Sequence, residues 1–191
     1  MSTKVNPLEK LAADRQAARA QNDAWAALCT LGTVNEDGDA EQRTLVLRDH
    51  ESRLALFFSA HSPKWRELQG RPTCSVQLYL PSIQVQYRVR ASWEVIDPQQ
   101  VFASWVLRPD VPKKLDWLYE QYPQSSAIDR NELLAQLDED TNVPEHAPET
   151  AMGVFLNPVY LERLQLSRGV HERESWTHSA QQQWVHQQLV P

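Results

Sequence analysis

The segment 83–95 constrains the fold most. Ile83, Val85, Tyr87, Val89 and Ala91 alternate with Gln84, Gln86, Arg88 and Arg90. Successive side chains of a strand point to opposite faces, so this run predicts one face in a core and one on a polar surface or cavity. Segments 28–34, 42–48, 54–59 and 73–80 also read as strands, separated by turn-forming residues at 35–39, 49–53 and Pro81-Ser82. Gly38 is free to take a positive φ in the first of these turns. Short links between the first three strands predict an antiparallel meander. Closing strands are expected at 152–156, 160–166 and 170–177.

Helical periodicity frames this β-rich centre. Leu8, Leu11, Ala12, Ala18, Trp25 and Leu28 predict an amphipathic helix over 7–28. Ser62, Pro63 and Gly70 suit the N-cap, first position and stop of a short helix. Asp97-Pro98 with Gln100 predicts another helix start, running to about residue 107. Residues 108–121 and 131–137 are expected to be helical, and the acidic stretch 138–150 to be a mobile loop. The element order predicts a mainly β, α+β fold: a split antiparallel barrel with peripheral helices, forming one domain over 1–191.

Charge and motif absences narrow the chemistry. A net charge of −6 argues against general nucleic-acid affinity, so any bound anion needs a local basic cluster. Five glycines include no GxGxxG or Walker sequence, and the six histidines show no metal-ligand spacing. No apolar run reaches membrane-spanning length, and the first residues lack a signal-peptide pattern, so a cytoplasmic protein is expected. Cys29 and Cys74 are then expected as buried thiols rather than a disulfide.

Four local groups could carry function. The strand 43–48, RTLVLR, has an arginine at each end; five positions apart, they face opposite sides of a regular strand. One pocket could use both only at a bulge, strand end or subunit junction. Phe57-Phe58-Ser59 ends a strand shortly before Ser62-Pro63-Lys64 begins a helix, where free N–H groups favour a phosphate. The polar row Gln84, Gln86, Arg88 and Arg90 could meet the edge of a heteroaromatic ring. Gln124, Ser125 and Ser126 supply amide and hydroxyl groups after a helix. Each group alone also fits an ordinary solvated surface.

Their order and spacing together resemble the pyridoxamine 5′-phosphate oxidase family of FMN-binding split barrels. The resemblance runs from about Ala26 to the C-terminus. RTLVLR is similar to the family's first phosphate-binding strand, Phe57-Phe58-Ser59 to its aromatic-aromatic-hydroxyl strand end, and Ser62-Pro63-Lys64 to its Ser-Arg-Lys helix start. Gln86 aligns with a flavin-contacting glutamine, and Gln124-Ser125 with a pair given by the partner subunit. Residues 169–173, GVHER, resemble the terminal Arg-Leu-His-Asp-Arg stretch. Departures are Pro63 and Gly169 for arginines, Ala151-Met152-Gly153 for Trp-Gly-Gly, and Arg163 or Leu164 near the place of a flavin-facing tryptophan.

The resemblance implies a homodimer with FMN at the subunit junction. It implies cofactor contacts from Arg43, Thr44, Leu45, Val46, Arg48, Phe58, Ser59, Lys64, Gln86, Gln124 and Ser125. Within that set, Arg43, Lys64 and Ser59 would hold the FMN phosphate. For the small-molecule substrate, such as a phosphorylated amine, it implies Arg48, Arg108 and His171, with His171 and Arg173 as catalytic residues. The implied activity is an FMN-dependent oxidoreductase, with a flavin-binding protein or redox sensor without efficient turnover as the alternative. A related barrel holding haem or a deazaflavin is a third possibility, and neither nucleic acid nor membrane is an expected partner.

Overall fold

The computed structural model describes residues 6–122, 124, 126–139, 144–167, 169–179 and 183–191. Helix α1 (Pro7–Ala20) is followed by a 3-10 turn (Ala24–Ala27), then by strands β1 (Leu28–Val34), β2 (Ala40–Val46), β3 (Arg48–His50) and β4 (Arg53–Ser59). Helix α2 (Pro63–Gln69) precedes β5 (Thr73–Leu80) and β6 (Val85–Val95). Helices α3 (Pro98–Val106), α4 (Asp110–Gln121) and α5 (Arg130–Glu139) come next, before β7 (Ala151–Gln165), β8 (Glu172–His178) and β9 (Trp184–Leu189). The strands pair antiparallel in the order β2-β1-β5-β6-β7-β4-β3, with β8 on β7 and β9 on β8.

The main core lies against the apolar rows of these strands. Val85, Tyr87, Val89 and Ala91 of β6 enter it as their alternation predicts, joined by Leu31, Val76, Leu78 and Leu156. Arg88 and Arg90 stay on the exposed side. Burial of such side chains contributes roughly 1.5–3 kcal/mol each relative to exposure.

Several expectations are corrected. The first strands do not form a meander: β1 pairs with β2 and β5, while β4 pairs with β3 and β7. The strand predicted over 42–48 is split at buried Leu47, whose carbonyl accepts from the Arg15 guanidinium instead of continuing the ladder. Ile83 and Gln84 do not join β6. A 3-10 turn spans Pro81–Ile83, and Gln84 takes the left-handed region at φ 54°. The predicted helix 7–28 ends at Ala20, because Gln21 and Asn22 donate to Ala18 and Arg19 carbonyls and Asn22 turns to φ 57°.

Toward the C-terminus, the two predicted strands at 152–156 and 160–166 are one strand. It passes Asn157-Pro158 with a register shift opposite Arg90/Ala91. β9 was not expected. The stretch 138–150 is not a loop throughout: α5 extends to Glu139, and Thr150 is buried with its hydroxyl on Glu120. Residues 140–143 lie outside the described residues. Both cysteines are buried free thiols.

Buried polar anchors hold α1 on the barrel. Arg15, 1% exposed, donates to the carbonyls of Ala26 (3.1 Å) and Leu47 (3.0 Å) and pairs with Asp49. Asp14 accepts from the Tyr87 hydroxyl at 2.6 Å and from Arg163 Nε at 2.7 Å.

Candidate functional site

Two concave regions carry about half of the site residues singled out in the sequence. The first lies between β2, α2 and the end of α4, lined by Glu41, Arg43, Lys64, Glu67, Tyr119 and Gln124. Strand alternation puts Arg43 on the same face of β2 as Glu41, toward this hollow. Arg43 Nη2 lies 2.7 Å from Oε2 of Glu67, and its Nη1 donates to the Thr33 hydroxyl, which in turn donates to Glu67. Glu67 and Lys64 are both only 7% exposed on α2, whose one-turn spacing brings residues three apart to the same side.

Lys64 is the unusual group. Its Nζ donates to Oε1 of Gln124 at 2.9 Å, a neutral partner, and lies 5.6 Å from the Phe58 ring centroid. Among the described residues, no carboxylate forms an ion pair with it. Burial and the neighbouring Arg43 guanidinium pull its pKa down to about 8, against a smaller opposing effect of Glu67. A buried ammonium beside a guanidinium is the electrostatic signature of a place for an anion.

The second concave region opens beside the end of β4 and the start of β7. Arg48, Phe57, Phe58, Ser59, Ser104, Trp105, Arg108, Asp116, Thr150 and Met152 are among its lining residues. Cross-strand pairing sets one wall: Phe57, Phe58 and Ser59 stand opposite Gly153, Met152 and Ala151. Gly153 has no room for a Cβ, which would meet the Phe57 ring at 2.9 Å. The other wall is the end of α3, where Trp105 is buried and Arg108 follows the last turn. Asp116 of α4 accepts from Trp105 Nε1 at 2.7 Å and from Arg108 Nη1. Burial pushes the Asp116 carboxyl up from its ordinary pKa, opposed by Arg108.

Ser59 borders the second region, not the hollow of Arg43 and Lys64, as the implied phosphate set requires. Its hydroxyl accepts from the His61 N–H, and its carbonyl accepts from Ser62 Oγ, so it fixes the turn into α2. The Ser62 side chain therefore does not cap the helix. Thr44 and Val46 are exposed on β2, whereas Leu45 is partly buried against the main core. Gln86 is half-buried on β6, opposite Tyr79 and Leu164. Gln124 meets Lys64 of its own chain, although the resemblance implies a partner's; Ser125 lies outside the described residues.

His171 does not join Arg48 and Arg108 in one chain. It is exposed after β7, where its Nδ1 accepts from the Ser167 N–H at 3.1 Å. Ala151, beside the Arg48 region, and Gln165, near His171, begin and end β7. About 45 Å of strand separates those ends, at about 3.3 Å per residue. Arg173 is half-buried on β8 and pairs with Glu162.

Trp105, Asp116, Thr150, Met152 and Glu67 were missed by sequence reasoning. Lys64 and Glu67 at i, i+3 in a short helix were a readable signal. The Arg108–Asp116 pair spans the α3–α4 junction and follows no fixed spacing.

No family model matches the chain. Pyridoxine/pyridoxamine 5′-phosphate oxidase of Ectopseudomonas mendocina is 31% identical over 172 residues, covering 85% of this chain and 77% of that protein. The protein of the same name from Pseudomonas putida is 29% identical over 174 residues, with the same coverage. Among solved structures, PhzG from Burkholderia lata, in complex with tetrahydrophenazine-1-carboxylic acid, superposes with a TM-score of 0.88 at 20% identity, covering 100% of this chain and 94% of its own. A pyridoxamine 5′-phosphate oxidase-related, FMN-binding protein of Nostoc punctiforme superposes with a TM-score of 0.80 at 22% identity, covering 98% of each chain. These structural likenesses establish the shared fold.

Proposed function

The chain belongs to the pyridoxine/pyridoxamine 5′-phosphate oxidase family, and from that premise we propose that it is an FMN-dependent oxidoreductase acting on a small molecule as a homodimer. The observation that carries the reading is Lys64: a buried ammonium beside Arg43, held by a neutral amide and with no carboxylate ion pair among the described residues. A phosphate would complete this site through charge-assisted hydrogen bonds.

The residues present fit such a group. Arg43 and Lys64 would hold the phosphate, with Glu67 and Thr33 fixing the guanidinium. Gln86, on the polar row of β6, would meet the ring edge. Bound FMN would supply the hydride chemistry, while the protein binds and orients the reactants. Arg48 and Arg108 would hold an anionic group of the substrate beside Phe57, Phe58 and Trp105. His171 and Arg173 would reach that region only from a second subunit, which is why the reading includes a dimer.

Their separation within one chain favours one alternative, flavin binding without efficient turnover. The test is an absorbance spectrum and FMN titration of the purified protein, followed by mixing with candidate reductants. Saturable FMN binding with substrate-dependent bleaching of the flavin band supports the oxidoreductase. Binding without bleaching selects the alternative, and absence of binding overturns both.

A further inference from the structure

We propose that Glu162 is a positioning residue, which fixes the Arg173 guanidinium in advance for contact with the flavin ring. This deepens the FMN-dependent reading and rests on it. Gln86 stands opposite Leu164, and Leu164 opposite Arg173, so the three form one row across β6, β7 and β8. Side chains in register across a sheet share a face, and this is the face whose Gln86 would meet the ring edge. About 10 Å separates the two ends of the row, at about 4.8 Å per strand. At a subunit junction the row is offered to a flavin held by either subunit.

The neighbouring row holds the clamp. Arg88 is opposite Glu162, and Glu162 is opposite Ser175. Glu162 is only 5% exposed, and a buried carboxylate is costly unless it is paired and hydrogen-bonded. Both of its oxygens are engaged. Oε1 accepts from Arg173 Nε at 3.1 Å and lies 3.1 Å from Arg173 Nη2, and it also accepts from Arg88 Nη1 at 3.4 Å. Oε2 accepts from the Tyr160 hydroxyl at 2.8 Å, which holds the carboxylate against rotation.

Arg173 is therefore gripped along one edge of its guanidinium, and its Nη1 has no hydrogen-bond partner among the described residues. Arg163 and Glu174 point to the opposite face, where they pair with Asp14 and Lys10, so neither is a substitute in the clamp. Two arginines against one carboxylate leave a positive charge on this face, suited to an electron-rich carbonyl edge. Ordering a long side chain before the ligand arrives removes that cost from binding.

Labelling of the purified full chain with phenylglyoxal, read at each arginine by peptide mass spectrometry, tests the clamp. Glu162→Gln keeps the shape but removes the charge, and it is expected to speed labelling of Arg173 roughly tenfold or more. Arg53, paired with Glu94 elsewhere, is expected to keep its rate. An unchanged rate at Arg173, or an equal rise at Arg53, overturns the proposal. Tyr160→Phe covers the case in which Glu162→Gln does not fold. It releases Oε2 and is expected to speed Arg173 labelling roughly threefold; no change overturns the proposal.

FMN titration then separates positioning from a merely structural role. Glu162→Gln and Arg173→Met are each expected to weaken FMN roughly tenfold, and the double variant no more than Arg173→Met alone. Additive losses, or unchanged affinity in either single variant, overturn the proposal. Absence of FMN binding by the wild type instead removes the flavoprotein reading, and with it the flavin contact, while the labelling still decides the clamp.

Discussion

Nζ of Lys64 and Oε1 of Gln124 lie 2.9 Å apart, joining the first turn of α2 to the residues that follow α4. A buried cation is thereby held by a neutral amide, with Arg43 nearby. Substituting Lys64 with Met is expected to weaken FMN binding by about 1.5–3 kcal/mol, roughly ten- to a hundredfold. Arg43→Ala is expected to act in the same direction. Fluorescence titration of FMN, with circular dichroism to confirm folding, checks both; unchanged affinity in both variants would remove the phosphate assignment.

The same lysine sets a pH dependence. Its folded pKa of about 8 lies below the ordinary 10.5, so the free protein loses the charge as pH rises through 8. FMN affinity is expected to decline above that pH in wild type, and this decline is expected to be absent in Lys64→Met. The stability sign is opposite. Keeping the buried ammonium charged costs stability below about pH 8, and the cost fades toward 10.5 because the unfolded state holds more protons in that window. Titrations between pH 7 and 10 would show both trends (the range brackets the folded pKa).

Arg15 ties α1 to the break between β2 and β3. Arg15→Met would strip the donor from the carbonyls of Ala26 and Leu47, each otherwise buried with this partner. A loss of about 3 kcal/mol is expected, since an unsatisfied buried polar group costs about 1–3 kcal/mol. Urea unfolding measures it, and a change below about 0.5 kcal/mol, the range of ordinary surface substitutions, would refute the staple.

Gly153 is the contact that lets β7 pass close to Phe57. Gly153→Ala would place a Cβ 2.9 Å from Phe57 Cδ1 and 3.0 Å from Ile96 Cδ1. Overpacking of this kind is expected to destabilise by about 1–3 kcal/mol. Urea unfolding of the variant measures the loss, and an unchanged stability would refute the close contact.

Cys29 and Cys74 are expected to resist thiol reagents at pH 8 until the protein unfolds. Burial pushes their thiols up to about 12 and about 11, so little thiolate is present and access is blocked. Rapid labelling of the native protein by a disulfide reagent would contradict the buried placement.

Local chemistry explains why much of the secondary structure was legible. The strand over 73–80 matches β5 end to end, because its alternating pattern is an intrinsic property of a half-buried strand. Asp97 accepts from the Gln99 N–H at the start of α3, a cap contained within three residues. Pairing was less legible. β4 meets β7 across almost a hundred residues, and no local signal could prefer that neighbour over β2.

The candidate site divides along the same line. The sequence by itself determined the basic and aromatic residues: Arg43 and Lys64 at a strand and a helix start, Arg48 and Arg108, and the ring-bearing end of β4. These follow from residue type and short-range spacing. The opposite facing of the two arginines of RTLVLR follows from their spacing, but only the tertiary structure decided that Leu47 breaks the strand and which hollow each arginine lines. It also set Glu67 on Arg43 and Asp116 on Arg108. The reason is physical: charge compensation depends on which side chains meet after packing, and separations of a few ångströms are decided by the whole fold rather than by neighbours along the chain.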